Sequence, residues 1–128
     1  MNDNLHFIEI TTNLIVTNDD IDDIMCTALE GGITYWCGRA EVVGDYLGAY
    51  SYEQIARGGQ LKLYDIEDFT EYVLNLDNFK KGLKMYIENH DVPLMFYNQH
   101  LAIDPCEIDA EAADAIVQYA LFGDIVYG

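Results

Sequence analysis

TNDDIDDIMCTALEGGITYWC, residues 17–37, decides how the rest of the chain is read. Ile21, Ile24, Met25, Ala28 and Leu29 recur at i, i+3, i+4, i+7 and i+8, which places them along one stripe of an α-helix. Asp19, Asp20, Asp22, Asp23 and Glu30 fall mostly on the remaining surface. Thr17 or Asn18 can cap the first turn, and the early carboxylates oppose the positive end of the helix dipole. Gly31-Gly32 permits the left-handed residue that ends many helices. The segment therefore supplies an apolar stripe, an acidic back and a stop, followed by Tyr35 and Trp36 as bulk for a core.

On the N-terminal side, Leu5 to Val16 is rich in Ile, Thr, Phe and Val and alternates in part around Phe7-Ile8-Glu9-Ile10. That pattern predicts one strand, or two broken near Thr12-Asn13. On the C-terminal side, Ile33 to Cys37 fits either a strand or a further helical turn, and Arg39 to Val43 reads as a strand. Gly44 to Gly48 is a turn. Ser51 and Gln54 have capping-box spacing, which starts a short helix at Tyr52 that Gly58-Gly59 ends. Leu61 to Tyr64 and Tyr72 to Leu74 predict a hairpin around the acidic connection Asp65 to Asp68. A helix from Leu76 to Asn89 follows, with Leu76, Phe79, Leu83, Tyr86 and Ile87 as its stripe and Gly82 costing it about 1 kcal/mol relative to Ala. Asn89 to Asp104 reads as a covering loop with one short strand. Asp109 caps a last helix over Ala110 to Leu121, Gly123 stops it, and Ile125 to Tyr127 returns as an edge strand. The expectation is a single α+β domain spanning 1–128, an antiparallel sheet carrying about three helices.

The 128 residues carry 23 Asp and Glu against 6 Lys and Arg, a net charge of −17, yet 51% are hydrophobic, which argues against disorder. Binding to a phosphate backbone needs clustered cations, so direct contact with nucleic acid is disfavoured, as is an anionic membrane surface. Proteins with basic surfaces are the partners such a charge attracts. Cys26, Cys37 and Cys106 have no CxxC spacing, so they define neither a disulfide framework nor a zinc site. No signal peptide and no apolar run of membrane-spanning length is visible, which makes the cytoplasm the expected compartment.

The carboxylates gather in three groups: Asp19 to Asp23, Asp65 to Glu71, and Asp104 to Asp114. Asp19 and Asp23 would stand about 6 Å apart along a helix. Neighbouring phosphates have a similar spacing, so Asp19, Asp20, Asp22, Asp23, Glu30, Asp65, Glu67 and Asp68 form a candidate partner-binding surface that imitates nucleic acid. The bland reading of such a run is a solvated helix face. The segment from Asn18 to Asp23 fails as a calcium loop, because it lacks the Gly and the distant Glu that such a loop needs. His6, His90 and His100 belong to no recognisable metal or nucleophile motif, so no catalytic residue, metal or cofactor is assigned. Trp36, Arg39 and Arg57 form the alternative, an anion-binding set with the arginines on phosphate and an aromatic ring on a base. Against it stands the simpler reading that each arginine pairs with a carboxylate and that Trp36 anchors the core.

Three stretches carry a resemblance: DDIDDIMCTALEGGITYWC (19–37), VVGDYLGAYSYEQIARGGQLKLYD (42–65) and EIDAEAADAIVQYALFGDIVYG (107–128). With these the chain resembles a set of small acidic proteins encoded by phages and prophages of Gram-positive gut bacteria. The likeness covers most of the chain and leaves out residues 92–103. It transfers no functional residue; it implies the setting of a phage accessory protein, which is also that of inhibitors of bacterial defence. The leading expectation is a non-enzymatic antagonist of a basic host protein that serves defence or handles nucleic acid. A sponge for a small nucleotide signal and a self-assembling virion or packaging component are the alternatives, and a homo-oligomer is compatible with each.

Overall fold

In the computed structural model, which describes residues 4–128, the segment around Ile21 becomes helix α1 (Asn18–Thr27). Thr17 caps it: its hydroxyl accepts from Asp20 N–H at 3.1 Å, and Asp20 accepts from Thr17 N–H at 3.0 Å. The helix continues through Ala28–Gly32 as a wider turn, closed by Ile33 N–H donating to Ala28 C=O at 3.0 Å. Gly32 lets the backbone at Ala110 come close to this turn, because a Cβ there would lie 2.6 Å from the Ala110 carbonyl oxygen. Ile33 to Trp36 then turns, so Tyr35 and Trp36 precede the next strand instead of belonging to it.

The rest is α+β, with the strands divided between two three-stranded sheets where one was expected. Strands β2 (Cys37–Val43), β3 (Gln60–Asp65) and β4 (Glu71–Leu74) form an antiparallel meander. Along β3 the inward row is Leu61, Leu63 and Asp65. Helix α2 (Leu76–Asn89) follows, capped by Asn75, and packs on α3 (Ala110–Phe122), which Asp109 caps. The second sheet has the order β1-β6-β5, with β1 (Leu14–Ile15), β5 (Leu94–Tyr97) and β6 (His100–Ile103). β1 runs parallel to β6, and β5 and β6 form a hairpin. Ile24, Met25, Trp36, Leu63, Phe79 and Ile116 lie at the centre of one core to which all three helices and the meander contribute.

Four local expectations change. The strand expected over Leu5 to Val16 shrinks to Leu14–Ile15, because β6 offers pairing only there. Ser51 does not cap its short 3₁₀ turn, Ser51–Glu53; the carboxylate of Glu53 instead accepts from Ala49 and Tyr50 N–H. Residues 94–103 form a hairpin instead of a covering loop, turning at Asn98 and Gln99 with positive φ at both. Ile125 to Tyr127 joins no sheet. The tail folds onto the core because Gln118 accepts from Val126 and Tyr127 N–H, and the Tyr127 ring stacks on Trp36 at 4.7 Å.

Candidate acidic interface

The exposed side of α1 carries Asp19 and Asp23, with Glu30 on the wide turn that continues it. Asp20 is half-buried and spent on the cap. Two neighbouring turns pack against this helix, Ser51–Glu53 and Pro105–Glu107. Both bring carboxylates: Glu53 from the first, Asp104 and Glu107 from the second. Asp104 chiefly, by charge and hydrogen bond, pushes the Cys106 thiol up, with burial, Asp23 and Glu107 adding to it. Burial first, then Glu30 and Asp23, pushes the Cys26 thiol up. Burial also raises the Tyr52 hydroxyl, followed by Cys26, Glu53, Tyr50 and Glu30. The exposed carboxylates here are Asp19, Asp23, Glu30 and Glu107; Glu53 accepts from Ala49 and Tyr50 N–H and pairs with Arg57, and Asp104 accepts from Cys106 N–H. Asp104 and Glu107 stood in the third acidic group of the sequence but outside the candidate surface, and Glu53 in neither; the packing of the two turns on α1 is what brings them to this helix.

Two of the expected carboxylates leave that surface. Asp22 is buried and paired with Arg57 at 3.0 and 3.2 Å. Arg57 also donates to the backbone carbonyl of Glu53 at 2.8 Å, so the pair ties α1 to the 3₁₀ turn. Asp65 is buried because it continues the inward row of Leu61 and Leu63. One of its oxygens accepts from Glu67 and Asp68 N–H at 2.7 and 3.0 Å, and the other accepts the Tyr127 hydroxyl at 2.6 Å. That hydroxyl, and then the two backbone donors, hold the Asp65 carboxyl below its ordinary range. Glu67 and Asp68 remain exposed, but on the β3–β4 turn, whose partner is the C-terminal tail.

The alternative set does not converge. Trp36 is 2% exposed, and its indole N–H donates to Asp114 at 2.8 Å, so its ring is a core element and not a stacking platform. Arg57 is engaged with Asp22 and Glu53. Arg39 lies over the Tyr64 ring at 4.4 Å and pairs with Glu41 at 3.0 Å. It borders a cavity of about 550 Å³ with Gly38, Tyr64, Asp65, Ile66 and Phe69, and neither Trp36 nor Arg57 lines that cavity. A second cavity of about 570 Å³ lies beside the start of α3, walled by Tyr35, Tyr86, His90, Asp109 and Glu111 among others. Its walls hold carboxylates and aromatic rings and no lysine or arginine, which is chemistry for a cation. Asp114, which also lines it, already accepts from Trp36, Gln118 and the Tyr35 hydroxyl, the last at 2.7 Å. Among the described residues no group of three or more His, Cys, Asp or Glu is placed to hold a metal ion. Among them too, no helix is long and apolar enough to cross a membrane.

Set beside protein-family models, curated proteins and solved structures, the chain matches none. The functional reading therefore stands on the α+β framework and its carboxylate face.

Proposed function

We propose that the protein is a non-enzymatic binder that seats the α1 face in the basic cleft of a nucleic-acid-handling or defence protein, in the cytoplasm of a host cell. The observation that carries this reading is the packing of two carboxylate-bearing turns, Ser51–Glu53 and Pro105–Glu107, against the acidic helix α1. The partner-binding residues are the exposed carboxylates Asp19, Asp23, Glu30 and Glu107. Attraction across such a face speeds encounter and weakens with salt, because exposed charges are screened over about 8 Å at physiological ionic strength. The phage setting implied by the resemblance gives the binding a purpose, the occlusion of a host protein that would otherwise hold DNA or RNA.

The test is capture from a bacterial lysate at low salt, followed by competition with duplex DNA. The expected result is one or a few basic proteins that DNA displaces and that raised NaCl releases. The triple variant Asp19→Asn, Asp23→Asn, Glu30→Gln should lose them while its circular dichroism is unchanged. Capture that survives both the triple variant and high salt would remove the acidic face from the explanation.

A further inference from the structure

Charge is sparse in several stretches of this acidic chain, and two of them also expose large apolar side chains in a row. Between Asn4 and Asn18 the single charged side chain is Glu9, and between Val92 and Ile103 there is no Asp, Glu, Lys or Arg at all. Both stretches expose apolar side chains, although Leu14, Val16, Val92 and Ile103 pack on the core. Phe7, Ile8 and Ile10 are 92%, 84% and 76% exposed in a segment that forms no helix or strand. Met95, Phe96 and Tyr97 are 52%, 69% and 63% exposed on β5, the free edge of its sheet. An edge strand presents unpaired N–H and C=O groups, and proteins ordinarily blunt such an edge with charge, proline or a bulge. Within β5 none of these is present, although Pro93 immediately precedes it.

We propose that β5 takes the Phe7–Ile10 segment of a second copy of this chain as its neighbouring strand, and that the exchange is reciprocal. Charge selects this occupant. Two molecules of −17 repel over most of their surfaces, and these two stretches, which carry one carboxylate between them, let the chains approach with little opposition of like charges. Topology then favours the second copy over the chain's own segment. β1 is parallel to β6, with Leu14 opposite Leu101, and the Thr12 hydroxyl donates to Gln99 C=O at 3.0 Å. Followed backwards from Leu14, the chain therefore leaves the sheet at the hairpin tip formed by Asn98 and Gln99. Its own β5 lies on the far side of β6, so pairing with it requires a reversal over that tip. A partner whose tip faces this one receives the segment in its onward direction. Alternate residues of an added strand point to opposite faces. Ile8 and Ile10 thus share one face and Phe7 takes the other, so apolar residues on both faces of β5 gain cover. A pair of reciprocal exchanges closes into a two-fold dimer.

Sedimentation velocity and light scattering over a range of protein concentrations test this. The expected mass is twice 14.5 kDa, with association strengthened by added NaCl, the opposite salt dependence from that of partner capture through α1. Ile8→Asp and Phe96→Asp each change an exposed side chain and should each give a folded monomer. In a Cys106→Ser background, Ile8→Cys with Met95→Cys should form a disulfide between chains on oxidation, and neither single variant should reach the same yield. A monomer at every concentration, a dimer indifferent to both Asp variants, or an Ile8–Met95 crosslink within one chain would each overturn the proposal.

Discussion

Arg57 and Asp22 show how one residue's environment decides its role. The side chains are 29% and 11% exposed, so the pair sits between a surface bridge and a buried one. Exposed pairs contribute about 0–1 kcal/mol, and breaking a buried one costs about 3–5 kcal/mol. For Arg57→Ala we expect a loss of about 2–3 kcal/mol in urea denaturation, mostly recovered when Asp22→Asn is added. A loss below 1 kcal/mol would show that water already satisfies Asp22. Tyr127 and Tyr35 make a second residue-scale case, through pH. Burial first, then the Asp65 carboxylate, pushes the Tyr127 hydroxyl far up. The Tyr35 ring is half exposed, but its hydroxyl end is tucked between Asp114 and Gln118, and burial together with Asp114 pushes it up to about 12. A raised tyrosine adds stability that is complete below its unfolded value of about 10 and is lost as pH rises toward the folded value. Asp65 is depressed, so its contribution is present above the ordinary carboxylate range and is lost as pH falls through its folded value. Tyr127→Phe should therefore flatten the alkaline limb of the stability curve and return Asp65 toward ordinary titration, read by carboxyl-carbon NMR. An unchanged Asp65 titration in that variant would mean the backbone donors alone hold it.

Among elements, Gly82 was legible in its place but not in its meaning. On propensity, Gly82→Ala should strengthen α2 by about 1 kcal/mol. In the fold α2 crosses α3 at Gly82, where a Cβ would collide with the carbonyl of Ile116 and lie 2.6 Å from the Ala120 nitrogen. Those atoms are backbone and cannot rotate away. We expect Gly82→Ala to lower stability by about 1–3 kcal/mol, the usual range for overpacking, and a higher melting temperature would show that the helices slide apart freely. The same contrast between local and distant signals explains what the sequence revealed. α1, α2, α3 and the β3–β4 hairpin follow from periodicity and caps, which are local. The β5–β6 hairpin turns on Asn98-Gln99, where only Asn is a usual positive-φ residue, so its turn signal is faint. The tail's failure to form a strand depends on Gln118 and Trp36, which touch it only after folding. The carboxylate groups were visible, but not their division. Asp22 is held inward by an arginine from a distant part of the chain, whereas Asp65 follows the alternation of Leu61 and Leu63 and there meets the Tyr127 hydroxyl.

For the whole molecule, the distribution of charge sets its response to salt. Three of the six basic side chains, Lys80, Lys81 and Lys84, lie on α2, whereas the α1 face and its two flanking turns carry carboxylates with only Arg57 beside them. Added salt acts on two opposing terms. It weakens exposed pairs such as Arg39–Glu41, whose side chains are 63% and 48% exposed and which contribute about 0–1 kcal/mol. It also screens repulsion among the many carboxylates left without a cation, and 17 excess charges outweigh a few surface pairs. The melting temperature should therefore rise as NaCl is raised from low ionic strength toward about 0.15 M, where the Debye length is about 8 Å. Self-association through β5 would also raise it, by mass action, so the measurement belongs in the Phe96→Asp variant at fixed protein concentration. A rise that persists there isolates the repulsion, and the triple variant of Asp19, Asp23 and Glu30 should then show a higher starting temperature and a shallower salt slope. A melting temperature that falls with salt in Phe96→Asp would mean that native ion pairs, Arg57–Asp22 foremost, outweigh the repulsion of the acidic face.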